Sequence, residues 1–111
     1  MRMLTLNCHS LLNYDSERQI QEIVDQIVRE EIDVLSLQEV NQSQLADAVA
    51  EDELESLGYK EPAEESAVIK SDNFACRLSR ALKKVKLDFK WSWNQAYREA
   101  DGLEWGVALF S

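Results

Sequence analysis

Apolar and polar positions along the chain change period several times, and each change predicts an element. Met3, Leu4 and Leu6 supply the apolar content of a first strand over residues 2–7. Asn13-Tyr14-Asp15 breaks that pattern, and Ser16-Glu17-Arg18-Gln19 has the spacing of a capping box that opens a helix. Ile20, Ile23, Val24, Ile27 and Val28 then recur at three- and four-residue steps, an amphipathic stripe with Arg18, Gln21, Glu22, Asp25, Arg29 and Glu30 on the wet side. Asp33-Val34-Leu35-Ser36-Leu37-Gln38-Glu39-Val40 follows, a short apolar run of the kind buried on both faces of a sheet and ending on a carboxylate.

Strand, helix and strand in this order make a βαβ unit, whose two strands are parallel. Asn7 and Glu39 are each expected at the carboxyl end of their strand, and so at one rim of the sheet, where open α/β sheets hold ligands. Further on, Ser43 is the expected cap of a second helix carrying Leu45, Val49, Leu54 and Leu57 and ended by Gly58. Residues 59–68 hold the only proline, Pro62, in an acidic loop or weak edge strand. Ser71 or Asp72 can cap a third helix through Phe74, Leu78, Leu82 and Val85. Phe89, Trp91 and Trp93 alternate with Lys90 and Ser92, which is strand periodicity. Residues 97–103 read as a polar loop around Asp101-Gly102, and 105–110 as a last strand. A domain seldom ends on an apolar strand without a following turn, so this strand is expected to present an open edge that needs a neighbour.

A chain of 111 residues builds one modest core and is read as a single unit, 1–111. With 45% hydrophobic and 30% charged residues, the composition is that of a soluble globular domain. No stretch is long and apolar enough for a signal peptide or a membrane span. The two cysteines, Cys8 and Cys76, make a disulfide framework improbable and point to a reducing cytoplasm. The net charge of −9 argues against tight nonspecific nucleic-acid binding. It is unevenly spread: residues 47–65 hold eight acids and one base, and residues 77–90 six bases and one acid. The basic segment is read first as a solvated helix face, with guidance of a phosphorylated ligand as the alternative.

Asn7 and Glu39 are the leading candidates for chemistry. Mg²⁺ takes oxygen ligands, often one or two carboxylates completed by waters and substrate phosphate. An amide beside the carboxylate can hold a second ligand or a phosphate oxygen without adding charge. The plainer alternative has Glu39 capping the next loop and Asn7 satisfying strand-end backbone groups. Cys8 and His9 do not make a nucleophile–base dyad, since strand neighbours face opposite sides. His9 falls on the side of Asn7 if the strand continues, where it could touch phosphate. Trp91 and Trp93 are expected in the core, and Cys76 as a small buried residue on the third helix. No Walker-type or dinucleotide glycine loop is present.

Thr5-Leu6-Asn7-Cys8-His9-Ser10, followed after one helix by Asp33-Val34-Leu35-Ser36-Leu37-Gln38-Glu39-Val40, resembles the opening of the endonuclease/exonuclease/phosphatase superfamily, the DNase-I-like phosphoesterases. Asp72-Asn73-Phe74-Ala75, Trp91-Ser92-Trp93 and Gly106-Val107-Ala108-Leu109-Phe110-Ser111 resemble a bacterial branch of it. The resemblance implies an α/β fold, half of a DNase-I-like sandwich with a mixed sheet starting in the parallel βαβ unit and helices packed on it. It also implies Glu39 as the ligand of Mg²⁺ or Mn²⁺, Asn7 as the amide near metal and phosphate, and a phosphate-ester substrate, either nucleic acid or a small phosphoester. Superfamily domains are well over twice this long, and their Asp/Asn motif and terminal Asp-His pair have no counterpart here. The chain is therefore expected to be the N-terminal part of a hydrolase and inactive alone. The chain also has Trp105 where close members place an acid before the glycine, with Glu104 one step earlier, so the loop of Tyr97 has no firm alignment. A second reading is a non-catalytic α/β interaction module that self-associates through its C-terminal edge strand.

Overall fold

The computed structural model describes residues 1–9, 15–62, 68–99 and 102–111. Its elements run β1 (Met3–Asn7), α1 (Ser16–Glu30), β2 (Val34–Ser43), α2 (Glu51–Ser56), α3 (Phe74–Lys84), β3 (Trp91–Arg98) and β4 (Leu103–Phe110). The strands form one mixed sheet in the order β1-β2-β4-β3. β1 and β2 are parallel, with Met3 opposite Val34 and Asn7 opposite Gln38, while β4 is antiparallel to both of its neighbours. The βαβ unit thus forms as its periodicity predicts, and the fold class is α/β.

α1 buries Ile20, Ile23, Val24 and Ile27, and α3 buries Phe74, Ala75, Cys76, Leu78 and Leu82. Both pack on the sheet face formed by Leu35, Leu37, Val40, Trp91, Trp93, Ala108 and Phe110, in one continuous core. The two tryptophans are core residues with satisfied indole N–H groups: Trp91 donates to the Leu57 carbonyl and Trp93 to that of Val40, each at 3.0 Å. Alternation sends Met3, Val107 and Leu109 to the opposite face, where all three are exposed. Among the described residues no helix is long and apolar enough to cross a membrane.

Several expectations are corrected. Val28 closes the apolar stripe of α1 in sequence but lies exposed, beyond the width of the sheet contact. The capping box does not form. Ser16 Oγ accepts from Arg77, and the Gln19 amide donates to the Cys8 carbonyl at 2.7 Å, so tertiary partners have taken both side chains. β2 runs on through Ser43, so Ser43 caps no helix; α2 is a short helix preceded by Ala50, with Leu45 outside it and exposed. Gly58 does follow that helix, with φ +84 that a side chain would strain. Asn73 caps α3 by accepting from the Cys76 N–H, while the Asp72 carboxylate turns back to the Ser43 N–H. Tyr97 lies in β3 rather than in a loop; Asp101, the centre of the expected loop, falls outside the described residues.

The largest correction concerns β4. It is not an open edge but a central strand, hydrogen-bonded to β2 on one side and β3 on the other. Gly106 suits that position: a Cβ there would press on the Asn94 carbonyl oxygen and lie 2.6 Å from the Trp93 indole, so its absence lets β3 and the ring approach the strand. The sheet edges are β1 and β3, and self-association through an exposed β4 edge has no basis in this topology.

Candidate functional site

β1 ends on Asn7, and Cys8 extends the pairing by one bond, its N–H donating to the Gln38 carbonyl at 2.9 Å. His9 then turns out of the strand direction with φ +46. On the neighbouring strand Glu39 has φ +53. Leu37 pairs with Ala108 and Val40 with Gly106, so Gln38 and Glu39 together oppose Val107 in a β-bulge. Glu39 is therefore not at the end of β2 as expected, but at an irregularity four residues before it. Bulges of this kind re-aim side chains and occur beside active sites.

The re-aimed side chains meet. His9 Nδ1 lies 2.6 Å from Glu39 Oε2, with the imidazole 65% and the carboxylate 35% exposed. The His9 backbone N–H donates to Asn7 Oδ1 at 3.3 Å. Asn7, at the end of β1, and Glu39, in the bulge of the neighbouring β2, are thus both in contact with His9. Part of the plainer alternative also holds, since Asn7 does serve a backbone group just past its strand. Cys8 points the other way: it is buried, and burial together with the Glu39 charge pushes its thiol up to about 12. Cys76, expected in the core of the third helix, is buried there, and burial is the main cause that pushes its thiol up to about 11.

Among the described residues no three His, Cys, Asp or Glu side chains gather as a closed metal centre would require. One carboxylate and a neutral amide oxygen suit a different ion. Mg²⁺ keeps several waters and takes few protein ligands, so Glu39 with Asn7 is a donor set it fits.

A second polar group lies farther along β2. Gln42 is fully buried and uses its whole side-chain amide: Nε2 donates to the Val68 carbonyl and to Glu104 Oε1, and Oε1 accepts from the Lys70 N–H and from Asn73 Nδ2. Glu104 Oε2 receives Nε and Nη2 of Arg98, the latter at 2.6 Å. Burial alone would raise this carboxyl, but the bonds from Gln42 and Arg98 and the charges of Arg98 and Lys70 hold it below its ordinary value. Beside it Tyr97 stacks on Trp105 with ring centroids 5.9 Å apart. Sequence reasoning did not find this network, because its members come from three segments far apart in the chain. It also missed His9 as the link between Asn7 and Glu39; the one available signal was the only histidine two residues after the candidate amide.

An endonuclease/exonuclease/phosphatase family protein from Leptotrichia buccalis C-1013-b has a similar structure, with a TM-score of 0.78 and 24% sequence identity. The match covers 100% of this chain and 37% of that one, so the chain spans little more than a third of the length of the protein it resembles. No protein-family model and no curated protein sequence matches the chain. At that identity the likeness speaks for the fold: the chain has part of a DNase-I-like α/β fold, a four-stranded mixed sheet with its helices.

Proposed function

We propose that the chain forms the amide-and-carboxylate side of a divalent-metal-dependent phosphoesterase, a hydrolase of phosphodiester or phosphomonoester bonds. The observation that carries this reading is the contact of His9 with both Glu39 and Asn7, His9 and Glu39 being two of the four non-glycine residues with positive φ among the described residues. Such backbone conformations cost on the order of 1–3 kcal/mol each and collect at functional sites, where the surrounding structure holds them. The partial DNase-I-like fold supports the same reading.

Glu39 would hold Mg²⁺ or Mn²⁺, which when bound stabilises the leaving oxygen and orients an attacking water. The Asn7 amide supplies a neutral oxygen and an N–H donor for a phosphate oxygen beside it. Cys8 takes no part as a nucleophile, because its thiol is buried and held protonated. No general base is assigned from these residues, and the 111-residue chain alone is expected to give no turnover.

Metal binding is therefore the test. Titration of the purified chain with Mn²⁺, followed by water-proton relaxation, should show binding that Glu39→Gln removes. Binding that is absent, or that survives Glu39→Gln unchanged, would overturn the reading.

A further inference from the structure

We propose that His9 is a positioning residue that sets both oxygen donors of the site before a cation arrives; this rests on the reading of Glu39 as the metal-holding carboxylate. One ion-pair contact and three hydrogen bonds carry the argument. The ring of His9 engages Glu39 through Nδ1 at 2.6 Å, and its backbone N–H engages Asn7 Oδ1 at 3.3 Å. The peptide that precedes it is held as well, since the Cys8 N–H bonds to Gln38 and the Cys8 carbonyl accepts from Gln19 on α1. One residue, fixed at its backbone and its ring, thus touches both candidate donors.

Stability does not account for the arrangement. A half-exposed ion pair of this kind contributes modestly to folding, whereas positive φ at both of its residues is unfavourable. A gain in function does account for it. Groups that hydrogen-bond a metal-holding carboxylate fix its orientation, and their loss typically weakens metal binding by about 10–100-fold. The ion-pair contact at Oε2 favours one orientation of the Glu39 carboxylate, so less motion is lost when a cation binds.

The backbone role and the side-chain role of His9 are separable by two substitutions. Glycine accepts φ +46 without strain but has no donor. Asparagine tolerates the same conformation, and its Nδ2 lies as many bonds from the backbone as the Nδ1 of histidine. Mn²⁺ affinity is measured by water-proton relaxation for wild type, His9→Gly, His9→Asn and Glu39→Gln, each confirmed folded by circular dichroism. His9→Gly should weaken binding at least about tenfold and His9→Asn should restore it to within about threefold of wild type. Wild-type affinity in His9→Gly, or equal loss in His9→Asn, would overturn the positioning role while leaving Glu39-dependent binding in place. Absence of binding in the wild type would instead remove the metal reading, and this inference with it.

Discussion

Gln42 Nε2 and Glu104 Oε1 lie 2.8 Å apart in the interior, joining two residues 62 positions apart in sequence. The bond is one of four made by the same amide, which leaves no polar atom of the Gln42 side chain unused. Replacing Gln42 with leucine keeps the volume and removes all four at once. Glu104, Asn73, the Lys70 N–H and the Val68 carbonyl each lose a partner, and an unmet buried group costs about 1–3 kcal/mol. Gln42→Leu should destabilise the fold by about 3–5 kcal/mol, read as a lower urea midpoint at unchanged slope.

The acid limb of stability should depend on Glu104. Its carboxyl is held below the ordinary value of 4.5, so the folded state favours the charged form. That contribution is fully present above the unfolded value and is lost as pH falls through the lower folded value. Glu104→Gln should flatten the fall in stability below pH 4.5, measured by urea unfolding at a series of acid pH values. An unchanged acid limb would mean that other carboxylates govern it.

The thiols give a prediction of opposite sign. Cys8 and Cys76 ordinarily titrate near 9, and burial raises them to about 12 and about 11. Above pH 9 the unfolded chain loses these protons while the folded one keeps them, so stability should fall by up to about 1.4 kcal/mol per pH unit for each thiol. At pH 8 neither should react with a thiol reagent in the folded protein, and both should react after denaturation. Rapid labelling of the native chain would contradict the burial of either residue.

Legibility in the sequence followed the range of the interactions. The stripe of α1 and the apolar runs of β1 and β2 are local patterns, and the parallel pairing follows from them once the helix intervenes. Asn7 and Glu39 could be placed near each other for the same reason, although Glu39 proved to lie in a bulge and not at the strand end. Elements whose fate depends on distant partners were not legible. Ser16 and Gln19 spell a capping box, yet Arg77 and Cys8 claim them. Ser43 looks like a helix cap, but β4 pairs with β2 that far and holds it in the sheet. Nothing in the apolar run of β4 shows that it enters between β2 and β3, because that choice depends on a glycine meeting a tryptophan across strands.

That glycine is testable. At Gly106 a Cβ would press first on the Asn94 carbonyl oxygen of the paired strand, and it would lie 2.6 Å from Cε2 and Nε1 of the buried Trp93 ring. Gly106→Ala should destabilise the fold by about 1–3 kcal/mol through overpacking, visible in thermal unfolding. A Trp93→Phe background, with a smaller ring at the same place, should relieve only the ring's share of that penalty, because the Asn94 carbonyl stays in place. Equal penalties in both backgrounds would assign the clash to the Asn94 carbonyl rather than the ring.

Trp93 also reaches the candidate site. Its indole N–H bonds to the carbonyl of Val40, the residue that follows Glu39 and closes the bulge. The core therefore holds the backbone on one side of Glu39 while His9 holds its carboxylate. In Trp93→Phe the Val40 carbonyl loses its buried donor and the ring leaves a small void, together costing about 2–4 kcal/mol. The bulge should loosen with it, and hydrogen exchange at Glu39 and Val40 should speed up more than at Leu35, which lies in the regular part of β2. If Glu39 needs this backbone conformation to present its carboxylate, Trp93→Phe should also weaken Mn²⁺ binding although the ring touches neither Asn7 nor His9. Unchanged binding with faster exchange would show that the carboxylate is set by His9 alone.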